Sequence, residues 1–177
     1  MHKKNRDTSK AISRMKYIPA LALLLCLPVT AGETINNTEG NRILGVWATE
    51  KAEAHVEIAK GDNGYKGTIV WLKEPFYIES DSAGRTGEVK KDTENPEPSL
   101  RDRNIVGLQI MEGFEYGGND RWINGTIYDP ENGETYKCRM MLTHEGALKV
   151  RGYVGISLFG RTSEWTPVLK RVPVESD

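Results

Sequence analysis

The chain has 177 residues, of which 38% are hydrophobic, which is enough for one domain with a core and too few for two domains of ordinary size. Its formal net charge is −1. The basic residues are concentrated at the N-terminus, so the chain from Gly32 onward is acidic, with a net charge of about −6. This balance argues against nucleic acid as a partner.

The N-terminal segment is typical of an export signal. Basic residues precede the apolar run "YIPALALLLCLPVTAG", which is too short to cross a bilayer. The small residues Val29 and Ala31 predict cleavage after Ala31, so we interpret residues 1–31 as a signal peptide. The mature protein is then periplasmic or secreted, with no membrane span.

Two details of this segment bear on processing. Leu25 before Cys26 fits a lipoprotein cleavage site poorly, which favours a soluble product over a lipid-anchored one. "MKYIPALALLL" would make a signal start without the preceding residues, so the initiator is either Met1 or Met15. After cleavage, residues 32–41 have the composition of a disordered leader. We expect one domain over residues 42–170 and a tail at 171–177.

From Arg42 the sequence alternates apolar and polar residues in short segments separated by turn signals. The predicted strands are, in order, "RILGVWAT", "AHVEIAK", "YKGTIVWL", "IVGLQIME", "RWINGTIYD", "TYKCRMMLT", "ALKVRGYVG" and "SEWTPVL". Asp62-Asn63-Gly64 is a hairpin turn signal between the second and third segments. The pattern predicts an all-β fold, a small antiparallel up-and-down barrel of about eight strands, because closure removes exposed sheet edges. A β-sandwich is the alternative.

A polar connection of unusual length, residues 73–104, interrupts the strands. Within it, "DTENPEPSLRDR" carries two prolines that favour an extended backbone. We interpret this part as an ordered flap over the barrel mouth, on which Asp92, Asn95, Arg101 and Arg103 present convergent polar groups to a ligand. In the alternative interpretation Asp92 and Asn95 cap turns, and the arginines pair with nearby acids.

Aromatic residues supply candidate walls for a cavity. In "RWINGTIYD" a period of two places Trp122, Asn124, Thr126 and Tyr128 on one face. The interior of an eight-stranded barrel is either filled by side chains or wide enough for one small ligand. Five aromatic residues could line such a cavity or fill it: Trp47, Trp71, Trp122, Tyr136 and Trp165.

Two arginines near the end of the chain have contrasting expected roles. Arg161 could stack over Trp47 and, with Trp165, close one end of the barrel. Arg151 shares a strand face with Lys149 and Tyr153; it lies either on a solvated face or inside the barrel, where it would anchor a carboxylate or phosphate.

Little in the sequence suggests an enzyme. His55, Glu53 and Glu57 alternate along one strand and therefore point in parallel, so no metal site is expected. Cys138 lies in phase with apolar neighbours and is predicted to be a buried structural thiol. "GISLFGRT" has the spacing of a phosphate loop, but the helix that such a loop requires is not indicated. No cofactor is predicted.

Two resemblances can be stated from these residues. "GVW" at residues 45–47 is similar to the first-strand Gly-x-Trp of lipocalins and of the wider calycin group. From about Leu44 to Trp165 the chain resembles a bacterial family of exported proteins, domain of unknown function 2147. That resemblance rests on "GVW", the Asp92, Asn95 and Pro96 pattern, "LRDR", "W.NGTIYDP", "VRGYVG" and "GRT..W". This second resemblance implies no function, because that family is uncharacterised, and the lipocalin resemblance implies a ligand-carrying barrel only by analogy of fold.

These observations predict non-covalent binding of a small amphipathic or anionic molecule in a barrel pocket. The predicted polar anchors are Asp92, Asn95, Arg101 and Arg151, and the predicted walls are Trp122 and Tyr128. No catalytic residue is assigned. Two alternatives stay open: a small hydrolase that uses Asp92 with Arg101, and a cell-envelope interaction or stress protein with a solid core.

Overall fold

The computed structural model describes residues 38–78, 83–156 and 160–169. The predicted signal peptide, most of the predicted leader and the predicted tail lie outside these residues. Within them, no helix has the length and apolar character needed to cross a membrane.

Eight antiparallel strands follow one another around a closed barrel, in which each strand pairs with the next and the last pairs with the first. This confirms the predicted up-and-down barrel and excludes the sandwich. The strands are β1 (Gly45–Ala48), β2 (Ala54–Gly61), β3 (Gly64–Leu72), β4 (Gln109–Tyr116), β5 (Arg121–Asp129), β6 (Glu134–Leu142), β7 (Leu148–Tyr153) and β8 (Gly160–Pro167).

Residues that alternate in the sequence face alternately the inside and the outside of the barrel. In β6, Cys138, Met140 and Leu142 are buried, whereas the intervening Arg139 and Met141 are exposed. Burying such an apolar face stabilises the fold by about 25 cal/mol per Å² of apolar surface. The core is therefore contributed by alternate residues of all eight strands.

Residues just before β1 seal one end of the barrel, which we call the closed end. A 3₁₀ turn at Asn41–Ile43 buries Ile43 completely. The indole nitrogen of Trp47 donates to the carbonyl of Ile43 at 2.8 Å, and that of Trp122 donates to the carbonyl of Gly40 at 3.1 Å. The predicted disordered leader, residues 32–41, therefore included four residues too many, because residues 38–41 pack against the barrel.

The fourth strand begins later than predicted. The apolar pattern of "IVGLQIME" suggested a strand from Ile105, but β4 starts at Gln109. Ile105 and Leu108 are buried, but they belong to the end of the long connection and not to a strand. Gly107 between them has a φ of 96°, which lies outside the strand region. The connection between β3 and β4 thus spans residues 73–108.

Cys138 is a buried thiol, as predicted, and burial raises its pKa to about 12. In the chain from Gly32, where it is the single cysteine, we expect no reaction with Ellman's reagent at pH 8 unless the protein is unfolded. The number of thiols per chain that react with the reagent, measured with and without guanidinium chloride, tests this expectation. Rapid labelling of the folded protein would show that the thiol is accessible.

Candidate functional site

A cavity of about 560 Å³ occupies the half of the barrel away from the closed end. Its walls are apolar and aromatic, and its rim is polar. The wall residues include Ile110, Ile127, Tyr128, Tyr136, Val150 and Trp165; the rim includes Thr49, Glu50, Lys51, Glu53, Asp129, Asn132 and Arg161. The barrel is therefore filled by side chains at one end and hollow at the other.

A glycine near the end of β7 helps to keep this cavity open. A Cβ atom on Gly152 would meet Cγ2 of Ile127 at 3.6 Å and Cβ of Tyr136 at 3.7 Å, which are ordinary van der Waals distances. A larger side chain at this position would extend between these two cavity-wall residues. The absence of a side chain at Gly152 thus contributes directly to the empty volume.

The charges around the cavity rim are mixed. Glu50, Glu53 and Asp129 face Lys51 and Arg161. Arg161 lies 3.8 Å from Glu50, and its side chain is 83% exposed. Such an exposed pair is worth little in water. The rim therefore offers both hydrogen-bond donors and acceptors and carries no excess of positive charge.

A second cavity, of about 630 Å³, lies between the 73–108 connection and the barrel. Ile69, Leu72 and Ile105 supply its apolar surface, and charged residues such as Lys90 and Glu94 line the rest. It adjoins the first cavity, because Thr49, Glu53, Asp129 and Pro130 line both.

Asp92 is the centre of a buried hydrogen-bond network that fixes the connection to β5. Its carboxylate is fully buried. The hydroxyl of Tyr128 donates to Oδ1 at 2.6 Å, while Nδ2 of Asn95 at 2.8 Å and the guanidinium of Arg103 at 2.7 Å donate to Oδ2. Three donors, one of them a full positive charge, satisfy the buried anion.

Neighbouring contacts make this part of the connection rigid. Oδ1 of Asn95 accepts from the amide of Glu97 at 2.9 Å, and Nε of Arg101 donates to the carbonyl of Asn95 at 2.7 Å. At the β5–β6 turn, a Cβ on Gly133 would overlap the carbonyl of Glu94. The connection therefore packs directly against the turn, and only glycine permits this approach.

Tyr128 joins the network to the cavity. Burial raises the pKa of its hydroxyl to about 12, and its hydrogen bond to Asp92 acts in the same direction because the carboxylate stabilises the protonated phenol. The same residue, next to the last position of β5, also borders the cavity. Tyr128 is the predicted ligand-binding residue that the structure places at the cavity.

The other residues predicted on the connection have structural roles. Asp92 and Asn95 are buried in the network, and Arg101 holds the backbone at Asn95. The structure places none of the three at the barrel cavity: the polar side-chain atoms of Asp92 and Asn95 are engaged in the network, and Arg101 is exposed and contacts the Asn95 carbonyl through Nε. The alternative interpretation, in which they fix turns and pair internally, describes the structure.

Trp122 is not a cavity wall. It is fully buried at the closed end, where its ring lies 5.2 Å from that of Tyr116 and 6.4 Å from that of Tyr65. The predicted shared face with Tyr128 is broken by an irregularity between Trp122 and Gly125, where Asn124 has a φ of 65°. The extra residue shifts the alternation, as a β-bulge does.

Arg151 does not occupy the interior position that the ligand hypothesis required, and Arg161 does not occupy the stacking position expected for barrel closure. Arg151 lies on β7 between the interior residues Val150 and Gly152, so its side chain is on the outer face, where it donates to Oγ1 of Thr162 at 2.8 Å. Arg161 is paired with Glu50 and does not stack on Trp47. Trp47 and Trp165 are both buried, the latter beside the cavity.

The cavity residues were only partly identified from the sequence. Tyr136 and Trp165 were among the candidate aromatics and do line the cavity, whereas Trp71 is 43% exposed and lies 4.3 Å from the ring of His55. Ile127, Val150 and Gly152 were missed. The strand period could have identified Val150 and Gly152, because residues two apart on a strand point to the same side of the sheet.

The geometry does not favour acid–base or metal chemistry. The carboxylate of Asp92 has no exposed surface, and its oxygens are engaged by three donors, so it is not available to a substrate. Across the described part of the chain, no three His, Cys, Asp or Glu side chains are grouped so as to hold a metal ion.

Comparisons with known proteins agree with this description. No curated protein matched the sequence. Among solved structures the fold is similar to protein HP1028 from the human pathogen Helicobacter pylori, described as belonging to the lipocalin family, with a TM-score of 0.59 and 20% identity over 72% of this chain and 83% of that chain. The family of uncharacterized proteins conserved in bacteria, DUF2147, matches residues 45–167. The chain therefore belongs to the DUF2147 family and has the eight-stranded barrel fold of a lipocalin-like protein.

Proposed function

We propose that this protein is exported and binds a small amphipathic molecule non-covalently in the barrel cavity. The observation that carries the proposal is the cavity of about 560 Å³ with aromatic and aliphatic walls and a polar rim. Its size falls within the roughly 300–1,000 Å³ typical of small-molecule sites. Export is supported by the composition of residues 1–31.

The arrangement of the walls sets the orientation of the ligand. Its apolar part would lie between Ile127, Val150 and Trp165, near the position left open by Gly152. Its polar part would lie at the rim, where Asn132 and the Tyr136 hydroxyl already hydrogen-bond each other at 3.0 Å. Because the rim carries both signs of charge, an uncharged or zwitterionic polar group fits better than a simple anion.

The fold supports this proposal. An eight-stranded barrel can enclose one small ligand, and the similar Helicobacter pylori protein is described as a lipocalin. A solid-core interaction protein is less favoured, because the cavity side of the barrel is open. Hydrolysis by Asp92 is not supported, because that carboxylate serves the network.

The test is a cavity-filling substitution, Gly152→Leu. The Cβ position has room, so the new side chain occupies ligand volume with little strain. We expect the affinity for the uncharged probe N-phenyl-1-naphthylamine, measured by fluorescence titration, to fall at least about tenfold, equivalent to about 1.4 kcal/mol. Native mass spectrometry of protein purified from a bacterial periplasm would also show whether a copurified ligand disappears.

Glu164→Leu is the matched control, since it adds a leucine to the exposed position opposite Lys149. It should leave probe affinity unchanged. Equal binding to the wild type and Gly152→Leu, with both proteins folded, would place the probe outside the barrel. No binding to the wild type, together with a clean apo mass, would contradict the proposed function.

A further inference from the structure

The barrel is closed by very little pairing between its first and last strands. β1 pairs with β8 at Trp47↔Pro167 and Ala48↔Thr166, and the amide of Val168 donates to the carbonyl of Val46. β8 begins at Gly160, so its first half extends beyond the end of β1. We call the gap between residues 49–53 and residues 160–164 the seam.

The orientation of the β8 backbone at the seam follows from the ladder. Val168 directs its N–H toward β1, and in a strand every second residue points the same way. The peptide groups of Thr162 and Glu164 therefore also point into the seam, while those between them pair with β7. Within the described residues, no backbone hydrogen bond joins residues 49–53 to β8.

The barrel cavity reaches this gap. Glu50 and Lys51 on one side of the seam, and Gly160, Arg161 and Ser163 on the other, all line it. The Glu50–Ala52 turn lies beside β8 at the seam, where Arg161 contacts Glu50 at 3.8 Å and both side chains are exposed to solvent. A ligand at the seam can thus reach both the unpaired backbone of β8 and the apolar interior.

We propose that the ligand of the cavity is peptidic: a short extended peptide that pairs with the open edge of β8 and directs an apolar group through the seam into the barrel. This rests on the proposed cavity function and names its ligand class. Backbone pairing with an open strand supplies affinity in many peptide complexes, and alternate side chains in pockets supply specificity. The alternation of β8 gives the peptide one side chain inward for each one outward.

Other occupants of this edge fit less well. Pairing with β8 of a second copy would bury only a few residues, well below the roughly 1,000 Å² expected of a stable interface. Arg161 and Glu164 on the edge also discourage strand-to-strand association of copies.

The test uses a dansyl-labelled Val-Thr-Val amide as the probe and its fully N-methylated twin as the control ligand. The twin keeps the apolar label but cannot donate backbone hydrogen bonds. We expect the wild-type protein to bind the twin at least about tenfold more weakly, since two or more hydrogen bonds are lost. Fluorescence titration measures both.

On the protein, Thr162→Pro removes one N–H that points into the seam, and a proline is tolerated at such an unpaired edge position. Thr162→Val removes the same hydroxyl but keeps the N–H. We expect Thr162→Pro to weaken peptide binding about three- to tenfold and Thr162→Val to leave it unchanged. The affinity for N-phenyl-1-naphthylamine reports the state of the cavity in each variant.

Each outcome decides between the two proposals. Naphthylamine binding without peptide binding, or equal binding of the peptide and its N-methylated twin, overturns the peptidic ligand and leaves the cavity function standing. Failure of both probes contradicts the cavity function itself. A dimer that persists with the peptide in excess, seen by sedimentation velocity, identifies a second copy as the occupant of the edge and also overturns the inference.

Discussion

Replacing Asp92 with alanine is expected to lower the free energy of unfolding by about 3–5 kcal/mol, measured by urea denaturation followed by tryptophan fluorescence. Asp92 is fully buried and accepts hydrogen bonds from Tyr128, Asn95 and Arg103. Removing the carboxylate leaves these donors without their acceptor in a desolvated environment. Arg103 is partly exposed and can be rehydrated, which favours the lower part of the range.

Asp92→Asn separates the loss of charge from the loss of volume. The amide keeps the shape and one acceptor oxygen, but its NH₂ group faces a donor, so we expect a loss of about 1–3 kcal/mol.

Tyr128→Phe removes one donor and should cost less than Asp92→Ala. In the Asp92→Ala, Tyr128→Phe double variant the costs should not add, because the residues share one hydrogen bond. Additive costs would mean that Asp92 and Tyr128 are not coupled, and a loss below about 1 kcal/mol for Asp92→Ala would mean that the network contributes little to stability.

The second large effect is expected for Trp122→Ala, with a loss of about 3–5 kcal/mol in the free energy of unfolding. The indole is fully buried at the closed end and donates to the carbonyl of Gly40, so truncation leaves both a void and an unpaired carbonyl. The cavity is in the other half of the barrel. The folded protein should therefore keep its affinity for N-phenyl-1-naphthylamine.

Trp122→Phe is the milder control, because it keeps an aromatic ring beside Tyr116 and loses only the N–H donor and part of the volume. In urea denaturation, the free energy of unfolding should be highest for the wild type, lower for Trp122→Phe and lowest for Trp122→Ala. Probe affinity that falls in step with stability would place Trp122 at the binding site, as the sequence suggested, and would contradict the division of the barrel into a filled and a hollow half.

The contrast between Trp122 and Trp165 shows the limit of reading faces from a sequence. Both were candidate walls, but Trp122 fills the closed end and Trp165 borders the cavity. The bulge at Asn124 could not be anticipated, since the alternation of "RWINGTIYD" looks unbroken. A register irregularity depends on the partner strand, and a one-residue shift moves every following side chain to the opposite face.

The polar connection shows a similar limit. Its prolines and charged residues correctly predicted an ordered segment, and the structure supplies the Pro98–Leu100 turn and the Asp92 network. The direction of the polar groups could not be predicted. Asp92 meets Tyr128, which is distant in sequence, and only the packing of the connection against β5 determines whether a carboxylate faces a ligand or an internal donor.

The amino-acid sequence was sufficient to predict the number and order of the strands, the Asp62-Asn63-Gly64 turn, the barrel and the buried Cys138, because each depends on a local period of two or on the backbone preferences of a few residues. The family resemblance followed from motifs in order along the chain. The cavity, its lining by Gly152 and Tyr136, and the seam beside β8 depend instead on how far each strand extends past its neighbour. Those offsets are set by packing among residues far apart in sequence, so they were established by the three-dimensional structure.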